Sequence, residues 1–341
     1  HRAEVAAVWD VDPATLPHPG LSACEMLDAT APGGAVRAML VFACNLMVSA
    51  PDAAGLGARL DGLDLLVVAD QFLSETSERA DVVLPVTQWA EEEGTMTNLE
   101  GRVILRRRAM PPPPGVWTDT QILSALAARL GQGDRFPAGV PEVFEEFRRA
   151  TAGGPADYAG ISVARIEAED GVFWPCPTEA HPGTRRLFLD RFATPDGLAR
   201  FTPVGHRPPA EETDAAYPLH LSTGRVMGHY QTGAQTRRVP ELAEAEPDAF
   251  VEIHPETARG LGIAAGDPVR LVTRRGSAVV KARMSRDIRL DTVFAPFHWG
   301  GSARTNALTN SALDPVSRIP EYKVCAVRIE TIPLAKLETS H

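Results

Sequence analysis

Two hydrophobic periods follow one another along this chain, and no single layer of secondary structure accommodates both. Residues 36–42 read VRAMLVF, an apolar run of buried-strand length that passes at once into Ala43, Cys44 and Asn45 and a loop with Pro51 and Asp52. Asp52 is placed to cap a helix through about Leu60, and the next strand, 65–68, ends in Ala69 and Asp70. A third strand over 81–84 is stopped by Pro85; a helix over 119–130 takes Asp119 as its cap and ends at Gly131. Strands alternating with helices predict a parallel sheet, and right-handed crossovers put the strand C-termini on one edge, where such sheets bind ligands. That edge carries Asn45 and Asp70.

After Tyr217 the pattern changes to short runs, LHLST, FVEI, PVRLVT, SAVVKARM, TVFAPF and KVCAVRI, separated by turns such as Arg275-Gly276. Regularly spaced strands with glycine turns predict a closed barrel or a sandwich. Between the two patterns the period is lost, apart from a short amphipathic helix over 142–149 and a strand-like stretch over 186–189. The reading is therefore α/β: a Rossmann-like parallel-sheet domain over 1–135, a connector over 136–216 and a β-rich domain over 217–335. A length of 341 residues, at roughly 150 per domain, agrees with two domains.

Charge restricts the partners. Lys plus Arg total 34 against 44 Asp plus Glu, a net charge of -10, which argues against a general nucleic-acid binder. Apolar residues at 44% suffice for a real core. Cys24, Cys44, Cys176 and Cys325 include no close pair that could begin a zinc or iron–sulfur ligand set, so all four are expected as buried thiols. No apolar run approaches the roughly 18 residues of a membrane span, and the N-terminus lacks an export signal. A cytoplasmic location is the default expectation. The first residue is His1 and not Met, which suggests a fragment of something longer.

Three stretches carry candidate chemistry. Residues 223–238, TGRVMGHYQTGAQTRR, hold Arg225, Arg237, Arg238 and His229 with three glycines and no acid. Glycines let backbone N–H groups approach a ligand, and arginine forks match phosphate oxygens, so this is a candidate anion site; the alternative is a solvated basic hairpin. Residues 89–108, WAEEEGTMTNLEGRVILRRR, mix acids and arginines that can neutralise one another, so a site and a solvated loop stand level. Residues 297–323 are rich in Asn, Ser and Thr, and an Asn amide, which both donates and accepts, suits the edge of a purine-like or pterin-like ring, although Asp314-Pro315 reads as an ordinary turn and Asn310 as a helix cap.

Histidine as a residue type can do acid–base work near neutral pH, but one in a β-rich core more often satisfies a hydrogen bond, and neither His229 nor His298 is taken as a catalyst. Ser222, Ser277 and Cys44 lack a nucleophile-elbow context. Neither a G-x-x-x-x-G-K-[ST] loop nor a G-x-G-x-x-G turn is present, which weakens ATPase and simple dehydrogenase readings.

The run DQFLSETSERADVVLP, then W-A-E-E-E-G-T-x-T-N-x-E-G-R, TGRV..HYQT and the closing N-A-L-T...ALDP.S..PE.K.CAVRI resemble the molybdopterin oxidoreductases of the dimethyl-sulfoxide-reductase type. Within that family the chain looks most like assimilatory and periplasmic nitrate reductases, and the resemblance covers most of residues 36–330. It implies that the β-rich domain is a double-psi-barrel-like molybdopterin-dinucleotide-binding domain. It implies a molybdenum bis(molybdopterin guanine dinucleotide) cofactor, with a 4Fe-4S cluster in the full-length enzyme only, and reduction of nitrate to nitrite. Asn45, Asp70 and Asp119 match residues that contact one dinucleotide; Thr223, Gly224, Arg225, His229 and Thr232 fall in a loop that follows it; Asn306 and Lys323 match two further contacts.

No segment matches the family's cluster cysteines or molybdenum ligand, which lie in N-terminal domains. No catalytic or metal-ligating residue is therefore expected in this stretch, and the isolated chain is expected to be inactive. Glu92 stands where relatives can place a Lys. Implied partners are nitrate or another small anion, the N-terminal domains of the same enzyme, and an electron-donating reductase or ferredoxin, with no nucleic acid. A formate dehydrogenase of the same family and a non-catalytic cofactor-binding scaffold are the alternatives.

Overall fold

A computed structural model describes residues 2–332; the barrel end expected at 335 lies outside the described residues. The first elements along the chain are α1 (Arg2–Trp9), α2 (Ala23–Asp28), β1 (Ala38–Phe42), α3 (Leu46–Ser49), α4 (Leu56–Leu60), β2 (Leu65–Asp70) and β3 (Val82–Pro85). There follow β4 (Gly94–Thr97), β5 (Arg102–Arg106), α5 (Asp119–Arg129), α6 (Val140–Thr151), α7 (Val163–Ala168) and β6 (Val172–Phe173). The last group is β7 (Leu219–Gly224), α8 (Pro240–Ala245), β8 (Phe250–Ile253), α9 (Pro255–Gly260), β9 (Pro268–Val272), β10 (Ser277–Met284), β11 (Thr292–Pro296) and β12 (Cys325–Thr331).

These elements form two compact units that interleave along the sequence. One joins the chain up to residue 20 with residues 85–205; the other joins residues 21–84 with the chain from residue 206 onward. In the second unit β1 and β2 are parallel, with Ala38 opposite Leu65 and Phe42 opposite Ala69, and β3 completes a sheet of order β1-β2-β3. Leu56, Leu60, Leu66 and Val68 are buried beneath it.

The barrel of the same unit closes in the order β10-β8-β11-β7-β12-β9, with β9 returning to β10. Closure excludes the sandwich. Strand pairing is parallel for β7 with β11 and for β8 with β10, and antiparallel between β10 and β9 and between β12 and its neighbours. Two crossing parallel pairs within one closed barrel give the double-psi type. Alternation carries the packing: Leu219, Leu221 and Thr223 of β7 point inward, as do Ala278, Val280 and Ala282 of β10. Each fully buried aliphatic side chain here, such as Leu221, Ile253 or Leu271, contributes roughly 1.5–3 kcal/mol of transfer free energy.

In the first unit the antiparallel sheet β4-β5-β6 packs with α6 and α7 around Val103, Phe144, Tyr158, Ile161 and Ile166. The amphipathic helix expected over 142–149 is α6, Val140–Thr151, and it buries Phe144. No helix among the described residues is long and apolar enough to cross a membrane.

Local expectations needed correction. Asp52 caps nothing with its side chain: it is left-handed, at φ 48°, and leads into a 3-10 turn before α4. The cap of α5 is Thr118, whose hydroxyl accepts from Gln121 N while the Gln121 side chain accepts from Thr118 N; Asp119 is the first helical residue. Pro85 is the last residue of β3 and not its stop, and Asp81 instead accepts from Leu66 N at 2.7 Å. Residues 186–189 form turns and bends, and Asn310 caps no helix: its amide donates to Val324 O at 3.0 Å. Cys24, Cys176 and Cys325 are buried, whereas Cys44 is only half-buried.

Candidate functional site

At the C-terminal end of β7 the barrel opens into a cleft of about 470 Å³, lined by Ser49, Thr223, Gly224, Arg225, Gln231, Phe297, Asn306, Tyr322 and Lys323. The pairing of β7 with β11 ends at Gly224 opposite Pro296, and Phe297 N then donates to Gly224 O at 3.2 Å. Residue 224 has to be small, because a Cβ there would lie 2.5 Å from the Phe294 ring. The Thr223 hydroxyl donates to Tyr322 O at 2.8 Å, and Lys323 Nζ donates to Thr223 O. These bonds tie the end of β7 to the segment before β12.

The charges in this cleft are of one sign. Arg225 reaches Gln231 Oε1 at 3.3 Å and lies over the Phe297 ring at 5.6 Å; among the described residues no carboxylate forms an ion pair with it or with Lys323. Loss of hydration, with Arg225 nearby, holds the Lys323 ammonium below its usual value. Burial pushes the Tyr322 phenol up to about 12, and its hydroxyl donates to Ser49 O at 3.2 Å. Two uncompensated cations beside a glycine-ended strand favour an anionic ligand, since charges of one sign left together cost free energy until a counter-charge arrives.

Asn306 is buried and serves as a bracket, its amide donating to Val48 O at 2.8 Å and Ser49 O at 3.3 Å. Asn45, just after β1, does not cap α3; its amide donates to Glu75 at 2.6 Å and reaches Thr232 Oγ1 at 3.4 Å. Asp70, at the end of β2, accepts from Gln71 N and from Ser74 Oγ, each at 2.8 Å. Arg237, one of the three cations of the basic stretch, pairs with Glu75 at 2.9 Å and is already neutralised. Arg238 lies over the Phe72 ring and donates to Leu73 O at 3.2 Å.

Both histidines are satisfied inside the fold. Val226 N donates to His298 Nε2 at 2.9 Å, so the proton sits on Nδ1, which donates to Gln231 O; burial holds this imidazole below its usual value. His229 Nε2 donates to Glu246 O at 2.8 Å and Nδ1 accepts from the Thr236 hydroxyl at 3.1 Å, which in turn accepts from Tyr230 N. With both ring nitrogens bonded to the protein, the His229 side chain shapes the loop from beneath.

The acidic stretch belongs to the other unit, where a cleft of about 790 Å³ is lined by Glu92, Thr95, Arg106, Arg108, Asp119, Gln121 and Tyr158 among others. Glu92 pairs with Arg106 at 2.9 Å and accepts from Thr87 Oγ1 at 2.9 Å, so acid and base do neutralise each other here. Burial first, and then Glu92, raise the Asp119 carboxyl above its usual value.

Of the residues expected from sequence, Thr223, Gly224, Arg225, Asn306 and Lys323 share the β7 cleft, and Asn45 meets Thr232. Asp70 stands at the end of β2, His229 lies under the loop, and Asp119 lines the cleft of the other unit. Three contributors went unremarked: Tyr322, Glu75 and Arg304. Arg304 is half-buried, donates to Met47 O at 3.0 Å and is held below its usual value by burial and by Arg79. Nothing in their local pattern distinguishes them from surface residues, although Glu75 lies inside the quoted SETSER run. Among the described residues no group of His, Cys, Asp and Glu could hold a metal ion.

Comparison with known proteins agrees with this architecture. Residues 5–129 match the family described as Molybdopterin oxidoreductase, and residues 219–326 the Molydopterin dinucleotide binding domain. A parallel-sheet portion followed by a dinucleotide-binding barrel defines the class, and the chain belongs to the molybdopterin oxidoreductase family. It is 44% identical over 332 residues to the assimilatory nitrate reductase catalytic subunit of Bacillus subtilis, covering 96% of this chain and 47% of that protein. It is also 44% identical over 317 residues to the F420-dependent formate dehydrogenase subunit alpha of Methanocaldococcus jannaschii, covering 93% of this chain and 46% of that one. The solved acetylene hydratase from Pelobacter acetylenicus shares the fold, with a TM-score of 0.73 at 19% identity over 90% of this chain and 46% of that chain. The chain thus spans about half the length of the curated relatives it matches.

Proposed function

We propose that this chain is the C-terminal part of a molybdenum bis(molybdopterin guanine dinucleotide) oxidoreductase that reduces nitrate to nitrite. The observation that carries the reading is the pair of cations, Arg225 and Lys323, without a counter-carboxylate at the glycine-ended mouth of β7. The residues fit a nucleotide diphosphate: two positive groups, a strand end bare of side chain at Gly224, and backbone within reach. Identity to the assimilatory nitrate reductase over nearly the whole chain supports nitrate as substrate.

In this reading Arg225 and Lys323 neutralise the diphosphate, Thr223, Gly224 and Thr232 offer hydroxyl and backbone groups, and Asn306 keeps the wall of the cleft in place. Asn45 orders the loop end. Asp70 accepts from the N–H edge of guanine, and Asp119, carried by the other unit, is a dinucleotide contact on the resemblance alone. Bound, the molybdenum–pterin group supplies the oxygen-atom and electron transfer that no side chain performs. The metal ligand and the 4Fe-4S cluster belong to the N-terminal domains of the full-length enzyme, and a reductase or ferredoxin delivers the electrons. This stretch contributes no catalytic residue, and on its own it is inactive. A cytoplasmic site of action goes with the assimilatory likeness.

Equal identity to a formate dehydrogenase favours a second reading, formate oxidation on the same cofactor. Assay of the complete gene product decides: bound molybdenum with nitrate-dependent oxidation of a reduced dye supports the first reading, and formate-dependent dye reduction replaces it with the second. Absence of molybdopterin from the purified protein leaves only the scaffold.

A further inference from the structure

Glu75 lines neither cleft, yet it joins segments that meet around the β7 loop. Its Oε2 accepts from Asn45 Nδ2 at 2.6 Å and its Oε1 from Arg237 Nη2 at 2.9 Å. Asn45 follows β1, and Arg237 closes the loop that leaves β7. Both side chains of the ion pair are 29% exposed, so the pair is screened less than a surface pair. Space has been left for it: a Cβ on Gly300 would lie 2.5 Å from Glu75 Oε1, and one on Gly233, at φ +73°, would lie 2.9 Å from Arg237 Nε. Burial alone would raise the Glu75 carboxyl, but its backbone hydrogen bond, Asn45 and Arg237 outweigh burial and hold it below its usual value.

The amide of Asn45 is held from both ends. Its Oδ1 accepts from the Thr76 hydroxyl at 3.0 Å, and that hydroxyl accepts from Met47 N at 3.0 Å. Asn45 therefore offers Nδ2 to Glu75 and Thr232 in one fixed orientation. Arg237, spent on Glu75, also donates to Thr232 O at 3.4 Å. The loop is thus fastened at its start by Thr223 on Tyr322 and near its end by Glu75.

We infer that Glu75 is a positioning residue, a clamp that joins Asn45 to Arg237 and so sets the 225–238 loop in the one shape that presents Arg225 and Thr232. The consequence for cofactor retention rests on the dinucleotide-binding reading above; the clamp itself does not. Arg237 then acts through Glu75 and not as a phosphate receptor.

The test uses the full-length protein and its E75A, E75Q, R237A and E75A/R237A variants. Amide hydrogen exchange over residues 226–238 and molybdopterin guanine dinucleotide per polypeptide are both read. E75A should exchange about tenfold faster over the loop, with β9 and β12 unchanged. The double variant should be no faster than E75A, because each substitution opens the same clamp. E75Q keeps an acceptor for Asn45 but loses the charge facing Arg237, and should fall between parent and E75A. Cofactor content should fall in the same order. Should E75A fail to fold, E75Q and R237A break the pair from either side and carry the comparison. Loop exchange at the parent rate in these variants overturns the inference, and so does acceleration spread evenly over the barrel. A faster loop with full cofactor content overturns the positioning role, whereas a parent protein without molybdopterin overturns the dinucleotide reading and leaves exchange to decide the clamp.

Discussion

Arg225 and Lys323 carry their charges without an acid beside them, and both are exposed, so the two positive groups stand open to a counter-charge from outside the chain. Replacing Arg225 with Ala should therefore lower molybdopterin content per polypeptide severalfold while leaving the melting temperature nearly unchanged, since the side chain is exposed. Full occupancy in that variant would count against the anion site. Tyr322 makes a separate, pH-dependent contribution. The folded protein keeps the phenolic proton up to about 12, whereas the unfolded chain releases it near 10. The Tyr322 contribution to stability is therefore constant below about pH 10 and is lost between there and about 12. Urea titrations across that range should show a shallower loss for Y322F, which also gives up the bond to Ser49 O, worth about 1 kcal/mol at neutral pH.

At the scale of elements, end chemistry was only partly legible. The S/T-x-x-E/Q box of Thr118 and Gln121 is present in the residues, yet the acid at 119 drew the cap assignment one position too far; the hydroxyl wins because it reaches Gln121 N from a non-helical backbone. T118A should cost about 1 kcal/mol, seen as faster amide exchange in the first turn of α5; an unchanged rate there would remove the box from the account. The strands were easier to read because alternation in β7, β9 and β10 records which side chain faces the barrel interior. Asp52 is no cap, and a left-handed residue before a 3-10 turn carries no periodic signal.

The whole molecule consists of two units, each with buried apolar clusters of its own: Val103, Phe144 and Ile161 in one, Leu221, Ile253 and Leu271 in the other. Calorimetry should accordingly give a transition enthalpy larger than the van't Hoff value, the mark of more than one cooperative step; a ratio of one would show a single cooperative block. By itself the sequence determined the succession of a βαβ stretch and a β-rich stretch and the basic glycine-rich loop, because period, turn chemistry and composition are local properties; its motifs carried the resemblance to the family. Only the tertiary structure decided that residues 21–84 group with the barrel, that Glu75 neutralises Arg237, and that both histidines are spent on backbone and hydroxyl partners. Those outcomes depend on which groups the folded chain brings together, across 162 positions for Glu75 and Arg237 and 72 for Val226 and His298, and a charge or an imidazole carries no mark of its eventual partner until the chain has closed.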